Sequence, residues 1–136
     1  MAVTTAPNVQ RVGAYARCVR DERILLSRFA APDGRWGPPG GGVEHGESPS
    51  AAVAREVGEE TGLEVEVGRA LDVYSNVWGS GPVVHAISIV FEVYVVGGEL
   101  RAETDGSSDR VGWFDLHRLS EVKTTWLLNA LPSSGH

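Results

Sequence analysis

The residues best suited to chemistry lie in one short run, Gly41 to Leu63, which reads GGVEHGESPSAAVAREVGEETGL. It holds five acids (Glu44, Glu47, Glu56, Glu59 and Glu60) against one base, Arg55. Winding at about 100° per residue brings Glu56, Glu59 and Glu60 within one arc of a short helix. Val53, Ala54 and Val57 then fall on a neighbouring face that can pack on a sheet. Like charges three and four residues apart weaken a bare helix. A hard divalent cation would relieve them, because Mg2+ binds through carboxylates and substrate phosphates. Arg55 precedes Glu59 by one helical turn and can also bridge to Glu47. On spacing alone, a solvated acidic face and a metal site remain equal alternatives.

Local signals set the frame for this run. Ser48 is an N-cap residue, Pro49 suits the first helical position and Gly62 is a stop, which predicts a helix from Pro49 to about Thr61. Upstream, Val12 to Arg20 and Arg23 to Phe29 read as short strands joined by an Asp21-Glu22 turn. Ala30 to Gly42 (AAPDGRWGPPGGG) reads as a loop dense in glycine and proline. Downstream, Leu63 to Val67 and Ala70 to Val77 are strand material. Val83 to Val96 is the strongest strand, with His85, Ile87, Ile89, Phe91, Val93 and Val95 on one face. Gly97-Gly98 ends it, Leu100 to Ser108 is a polar loop, and Arg110 to Phe114 is a further strand. Leu116 to Leu131 holds one or two helices. The order implies an α/β (α+β) chain with a mixed sheet sandwiched between helices, since each element must bury one face.

At 136 residues the chain has room for one domain, 1–136, with flexible tails expected at 1–8 and 132–136. Apolar residues at 42% and charged residues at 22% are the balance of a globular protein. The single cysteine, Cys18, excludes an internal disulfide framework and a cysteine-based zinc site, and fits a reducing cytosol. Residues 1–10 show no basic start and no apolar core, so no signal peptide is expected. No stretch is apolar enough to span a membrane, and a cytoplasmic location is expected. The net charge of −6 argues against a general nucleic-acid-binding surface. That charge is uneven: residues 1–40 carry six arginines against three acids.

The full spacing of the acidic run is Gly41, five residues, Glu47, seven residues, Arg55-Glu56, an aliphatic Val57, one residue, Glu59-Glu60, one residue, Gly62 and an aliphatic Leu63. This resembles the Nudix box, the signature of the Nudix hydrolase family, at every defined position. The lead-in Trp36 to Gly41 and the late Val111-Gly112-Trp113-Phe114 strand are also similar to that family. The resemblance implies the Nudix fold and hydrolysis of a nucleoside diphosphate linked to another moiety, with Mg2+ or Mn2+ as cofactor. It implies Glu56, Glu59, Glu60 and the main-chain carbonyl of Gly41 as metal ligands, and Glu47 with Arg55 as the pair holding the loop to the helix. Glu59 or Glu60 is the first choice for the base that takes a proton from water. Glu103, Asp105 and Asp109 in the later loop are alternatives. Homodimers are common in the family.

Other residues are weaker candidates. Arg28 could contact phosphate as a fork of donors. Trp36, Phe29, Tyr15 and Trp78 could stack on a base or simply pack. His85 reads as a structural histidine, and Cys18 as a small core residue. The glycines of WGPPGGG (36–42) lack the pattern of a phosphate-binding loop and suit close approach of the backbone to a metal at Gly41. The substrate follows less directly. Family members acting on ADP-ribose carry a proline soon after the box, whereas the nearest here is the later Pro82. The compact chain is similar to nucleoside triphosphate pyrophosphatases. A (deoxy)nucleoside triphosphate, oxidised forms included, is therefore the expected substrate. ADP-ribose or a sugar nucleotide is the alternative. A non-catalytic nucleotide-binding module is a second, disfavoured by the intact box, and an isoprenoid diphosphate isomerase would need Cys18 as a reactive residue.

Overall fold

The computed structural model describes residues 7–30, 33–103, 106 and 108–131. Most of the expected tails, and Asp105 with them, lie outside the described residues. The strands are β1 (Val9–Arg17), β2 (Val19–Arg20), β3 (Arg23–Phe29), β4 (Trp36–Gly37), β5 (Gly40–Gly42), β6 (Leu63–Trp78), β7 (Val84–Gly98) and β8 (Ser108–Asp115). The helices are α1 (Pro49–Thr61), a 3-10 segment (Leu116–Glu121) and α2 (Trp126–Ala130). One sheet runs β5-β1-β7-β6, with β1 parallel to β7 and the other pairs antiparallel. A second sheet is built on β3, which pairs β2, β4 and β8, all antiparallel. Backbone bonds from Ala16 N–H to Pro39 O (2.8 Å) and from Leu25 N–H to Cys18 O (2.9 Å) tie the two together.

Strand alternation divides the core in two. Ala14, Ala16, Leu25, Phe91 and Val93 face one side, where Ala52, Val53 and Val57 of α1 cover them. Ile24, Leu26 and Val90 face the other, against Leu127, Leu128 and Leu131 at α2. This is the expected sandwich, with a mixed β layer between helices.

Three readings change. The expected loop 30–42 contains β4 and β5, which glycine-rich composition conceals. The two expected strands after α1 are one long strand, β6, with register shifts between Val67 and Ala70 and between Ala70 and Asp72. Those irregularities let Val65 and Val67 face the α1 side while Leu71 and Tyr74 turn to the α2 side. The first strand breaks at Cys18 into β1 and β2. His85 is held at both ring nitrogens, with Gln10 Nε2 at 3.2 Å and Ser75 Oγ at 2.7 Å, as a structural histidine would be.

Arg17 ends β1 only 4% exposed, and its Nε and Nη2 have no hydrogen-bond partner. Burying a charged group without full pairing is costly. Arg17→Met should therefore raise stability by about 1–3 kcal/mol, read as a higher midpoint in urea unfolding. An unchanged or lower midpoint would contradict this.

Candidate active site

Helix α1 starts and stops on local chemistry. The Ser48 side chain accepts from Ala51 N–H, Pro49 sits in the first turn, and Gly62 turns left-handed at φ 77°. A Cβ at Gly62 would run into Glu99 O and Arg101 Cγ, so this close turn requires glycine.

Arg55 is the hub of the acidic run. Its Nε donates to Glu47 Oε2 at 2.8 Å and its Nη2 to Glu47 Oε1 at 3.0 Å. Nη2 also donates to Gly42 O at 3.1 Å, and Nη1 to Glu56 Oε1 at 2.9 Å and Glu59 Oε2 at 3.4 Å. Glu47 accepts a further bond from Glu44 N–H. These donors hold the Glu47 carboxyl down at about 2, the Arg55 side-chain bonds being the largest cause.

Of the three glutamates of α1, Glu56 and Glu59 share Arg55 Nη1, while Glu60 turns to β5. Glu60 is buried, and its Oε2 accepts from Gly40 N–H at 2.7 Å. Glu59 is half exposed. Glu56 lies between them against β5, where a Cβ at Gly41 would stand 2.8 Å from its carboxylate. Glycine at position 41 is what lets the carboxylate approach this backbone. Burial raises the Glu56 pKa most, Arg55 opposes that, and Glu59 and Glu103 add to the rise.

Of the later-loop acids, Glu103 has a buried Oε2 with no hydrogen-bond partner, and its charge adds to the rise at Glu56. Asp109 instead clasps Arg28, with Arg28 Nε to Oδ1 at 2.9 Å and Nη2 to Oδ2 at 2.7 Å. The pair holds the Asp109 carboxyl below its ordinary range, through the Arg28 hydrogen bond first. The two weaker candidates of the sequence thus meet each other. Among the described residues, no three acid, histidine or cysteine side chains close round one point. Glu56 and Glu59 lean to Arg55, and Glu60 to Gly40. The donor chemistry still fits a hard divalent cation: several carboxylates, the glycine-lined approach at Gly41, and the orphaned oxygen of Glu103.

Two hollows stand out among the described residues. The larger, about 590 Å³, is lined by Tyr15, Phe29, Trp78, Arg35, Ser88 and Thr125 among others. Tyr15 connects it to the acids: burial first, then Glu60 and Glu56, raise its hydroxyl pKa. The smaller, about 470 Å³, is lined by Trp36, Arg101, Asp109, Arg110 and neighbouring apolar residues. Trp36 also packs edge-on against Phe114 with ring centroids 4.6 Å apart, so much of its surface serves the core. Sequence reading singled out the neighbouring Glu103 and Asp109 but not Arg101 and Arg110, since no spacing joins the two arginines to each other. Cys18 is buried in the core on the α1 side, and burial pushes its thiol up to about 11. That leaves no reactive thiolate for an isomerase.

The Glu47 clasp yields an acid-stability prediction. A carboxyl lowered from 4.5 to about 2 lends stability that is complete above 4.5 and lost as pH falls towards 2. Glu47→Gln should flatten the dependence of the urea midpoint on pH over that window. An equally steep dependence in the variant would contradict the clasp.

A model of the NUDIX domain matches residues 8–132. Over 135 residues the chain is 36% identical to a MutT-like protein of Streptomyces ambofaciens, covering 96% of this chain and 83% of that protein. Over 105 residues it is 44% identical to an ADP-ribose pyrophosphatase of Methanocaldococcus jannaschii, covering 76% of this chain and 60% of that protein. Among solved structures, a MutT NUDIX hydrolase from Burkholderia pseudomallei superposes with a TM-score of 0.72 at 34% identity, covering 90% of this chain and 98% of that one. Family match, fold and the carboxylate helix agree: the chain belongs to the Nudix hydrolases, enzymes that act on phosphoanhydride bonds and generally use divalent metal ions.

Proposed function

We propose that the chain is a metal-dependent pyrophosphatase of (deoxy)nucleoside triphosphates, oxidised forms included. One observation carries this: an aromatic-walled hollow includes Tyr15, which lies opposite Gly40 in the β1–β5 pair, and Gly40 N–H bonds Glu60 of α1. Phe29 and Trp78 are each partly exposed at that hollow, as stacking surfaces must be.

The residues that would hold Mg2+ or Mn2+ are Glu56, Glu59, Glu60 and the carbonyl of Gly41. The ion would neutralise the diphosphate and lower the pKa of a bound water. The Glu47–Arg55 clasp keeps the loop before α1 against the helix, so Gly41 and Glu56 stay adjacent. The raised pKa of Glu56 reflects crowded, partly buried charge that a cation would relieve. Glu59, the most exposed of the three, is freest to turn towards a cation. The buried, unpartnered Oε2 of Glu103 supports this residue, ahead of Glu59 and Glu60, as the acceptor of the water proton. Asp109 is less suited, because both its oxygens accept from Arg28. The substrate itself is a small nucleotide, and the cytoplasm is the proposed location.

A second reading is ADP-ribose hydrolysis, favoured by the identity to the ADP-ribose pyrophosphatase of Methanocaldococcus jannaschii. A substrate panel with Mg2+ or Mn2+ separates the two. We expect the highest kcat/KM on a nucleoside triphosphate, with pyrophosphate released. Preference for ADP-ribose would overturn the first reading, and no turnover of any nucleotide would overturn both.

Variants test the assigned roles. Glu59→Gln and Glu60→Gln should each lower kcat by about 100-fold or more with the fold intact by circular dichroism. Glu103→Gln should lower kcat by about 100-fold with KM largely unchanged, and should remove the acid limb of the pH–rate profile, since a base acts deprotonated. Near wild-type turnover in any of them removes that residue from its role.

A further inference from the structure

The second hollow carries charge that the proposed reaction has not yet used. Arg101 and Arg110 line it with Asp109, the one acid in its wall. The Asp109 carboxylate is already matched by the two bonds from Arg28. The wall thus carries two arginines against one acid, which Arg28 and Arg110 already share, in a chain whose net charge is −6. Glu99 and Glu103 flank the segment but do not line the hollow. An arginine-rich recess of this kind suits a phosphate group, which guanidinium groups meet with paired donors.

Its position matters as much as its charge. Tyr15, in the wall of the larger hollow, pairs in β1 with Gly40 of β5, whose N–H bonds Glu60. Arg101, in the wall of the smaller one, packs on Gly62 directly after α1, and its N–H bonds Thr61 O. The last turn of α1, which carries Glu60, is therefore tied to a wall residue of each hollow. A substrate with its diphosphate at the carboxylates can extend one end into each. The first is aromatic and the second cationic, so they ask for different ends.

We infer that Arg101 and Arg110 form an anion subsite that takes the phosphate end of the substrate, opposite the base, and selects for charge on the departing group. This rests on the pyrophosphatase reading above. A triphosphate presents such an end, whereas ADP-ribose presents a neutral sugar there. The subsite is then a specificity element, separate from the metal-holding carboxylates, and Arg28 with Asp109 forms its backing.

The test uses the full chain and the double variant Arg101→Gln/Arg110→Gln. Binding of inorganic pyrophosphate is measured by isothermal titration in buffer with chelator, so that no metal contributes. The wild type should bind, and the folded double variant should bind about tenfold more weakly or worse. With metal present, the variant's KM for a nucleoside triphosphate should rise by a similar factor while its kcat/KM for ADP-ribose stays put. Equal pyrophosphate binding by both proteins would overturn the subsite. So would an equal loss on triphosphate and ADP-ribose, which would mean general damage. Arginine-dependent pyrophosphate binding in a protein that turns over no triphosphate would sustain the subsite and overturn the proposed reaction instead. Arg101→Lys/Arg110→Lys, which keeps the charge, should recover part of the binding; no recovery in this folded variant would count against an electrostatic role.

Discussion

Everything at the acidic site depends on Arg55 holding together carboxylates that would otherwise repel. A helix with glutamates at i, i+3 and i+4 is under electrostatic stress. One guanidinium spans Glu47, Glu56, Glu59 and the carbonyl of Gly42, linking the helix to the loop before it. The balance is uneven. Glu47 is fully satisfied and its carboxyl held low, while burial keeps the Glu56 carboxyl raised despite the same arginine. The charge of the clasp is settled, while the charge proposed to meet a cation is left in tension.

The second constraint is backbone proximity. The approach of Glu56 to β5 requires glycine at position 41, and β5 reaches β1 only because Gly40, at φ 154°, has no Cβ to collide with Ala14 O. Glu60 secures the same strand through Gly40 N–H. The glycine run therefore works as packing space between a helix and a sheet edge. Tyr15, opposite Gly40 in the β1–β5 pair, turns to the α2 side of the sheet and lines the larger hollow there.

Legibility followed the range of the interactions. The limits of α1 were readable because Ser48, Pro49 and Gly62 act on backbone groups within a turn. Strand β3 was readable because its short apolar run and the Asp21-Glu22 turn before it are local. The segment 30–42 was not, because β4 and β5 exist only through partners on β3 and β1. Likewise β6 looked like two strands, since its pairing with β7 bridges irregularities that break the sequence pattern. At the site, the Glu47–Arg55 clasp was foreseeable from spacing across one loop. The Arg28–Asp109 clasp joins residues 81 positions apart, and no local pattern foretells it.

The sequence alone determined the family, the helix that carries the acids, and the set of donors available to a divalent cation. These follow from short-range spacing that survives in any context. Tertiary structure alone decided how those donors are used. It buried Glu60, left Glu59 outside, buried an oxygen of Glu103 and withdrew Asp109 to Arg28. It also set Arg101 and Arg110 around one hollow. The physical reason is that charge and burial depend on what lies within a few ångströms, and across this sheet those neighbours come from distant parts of the chain.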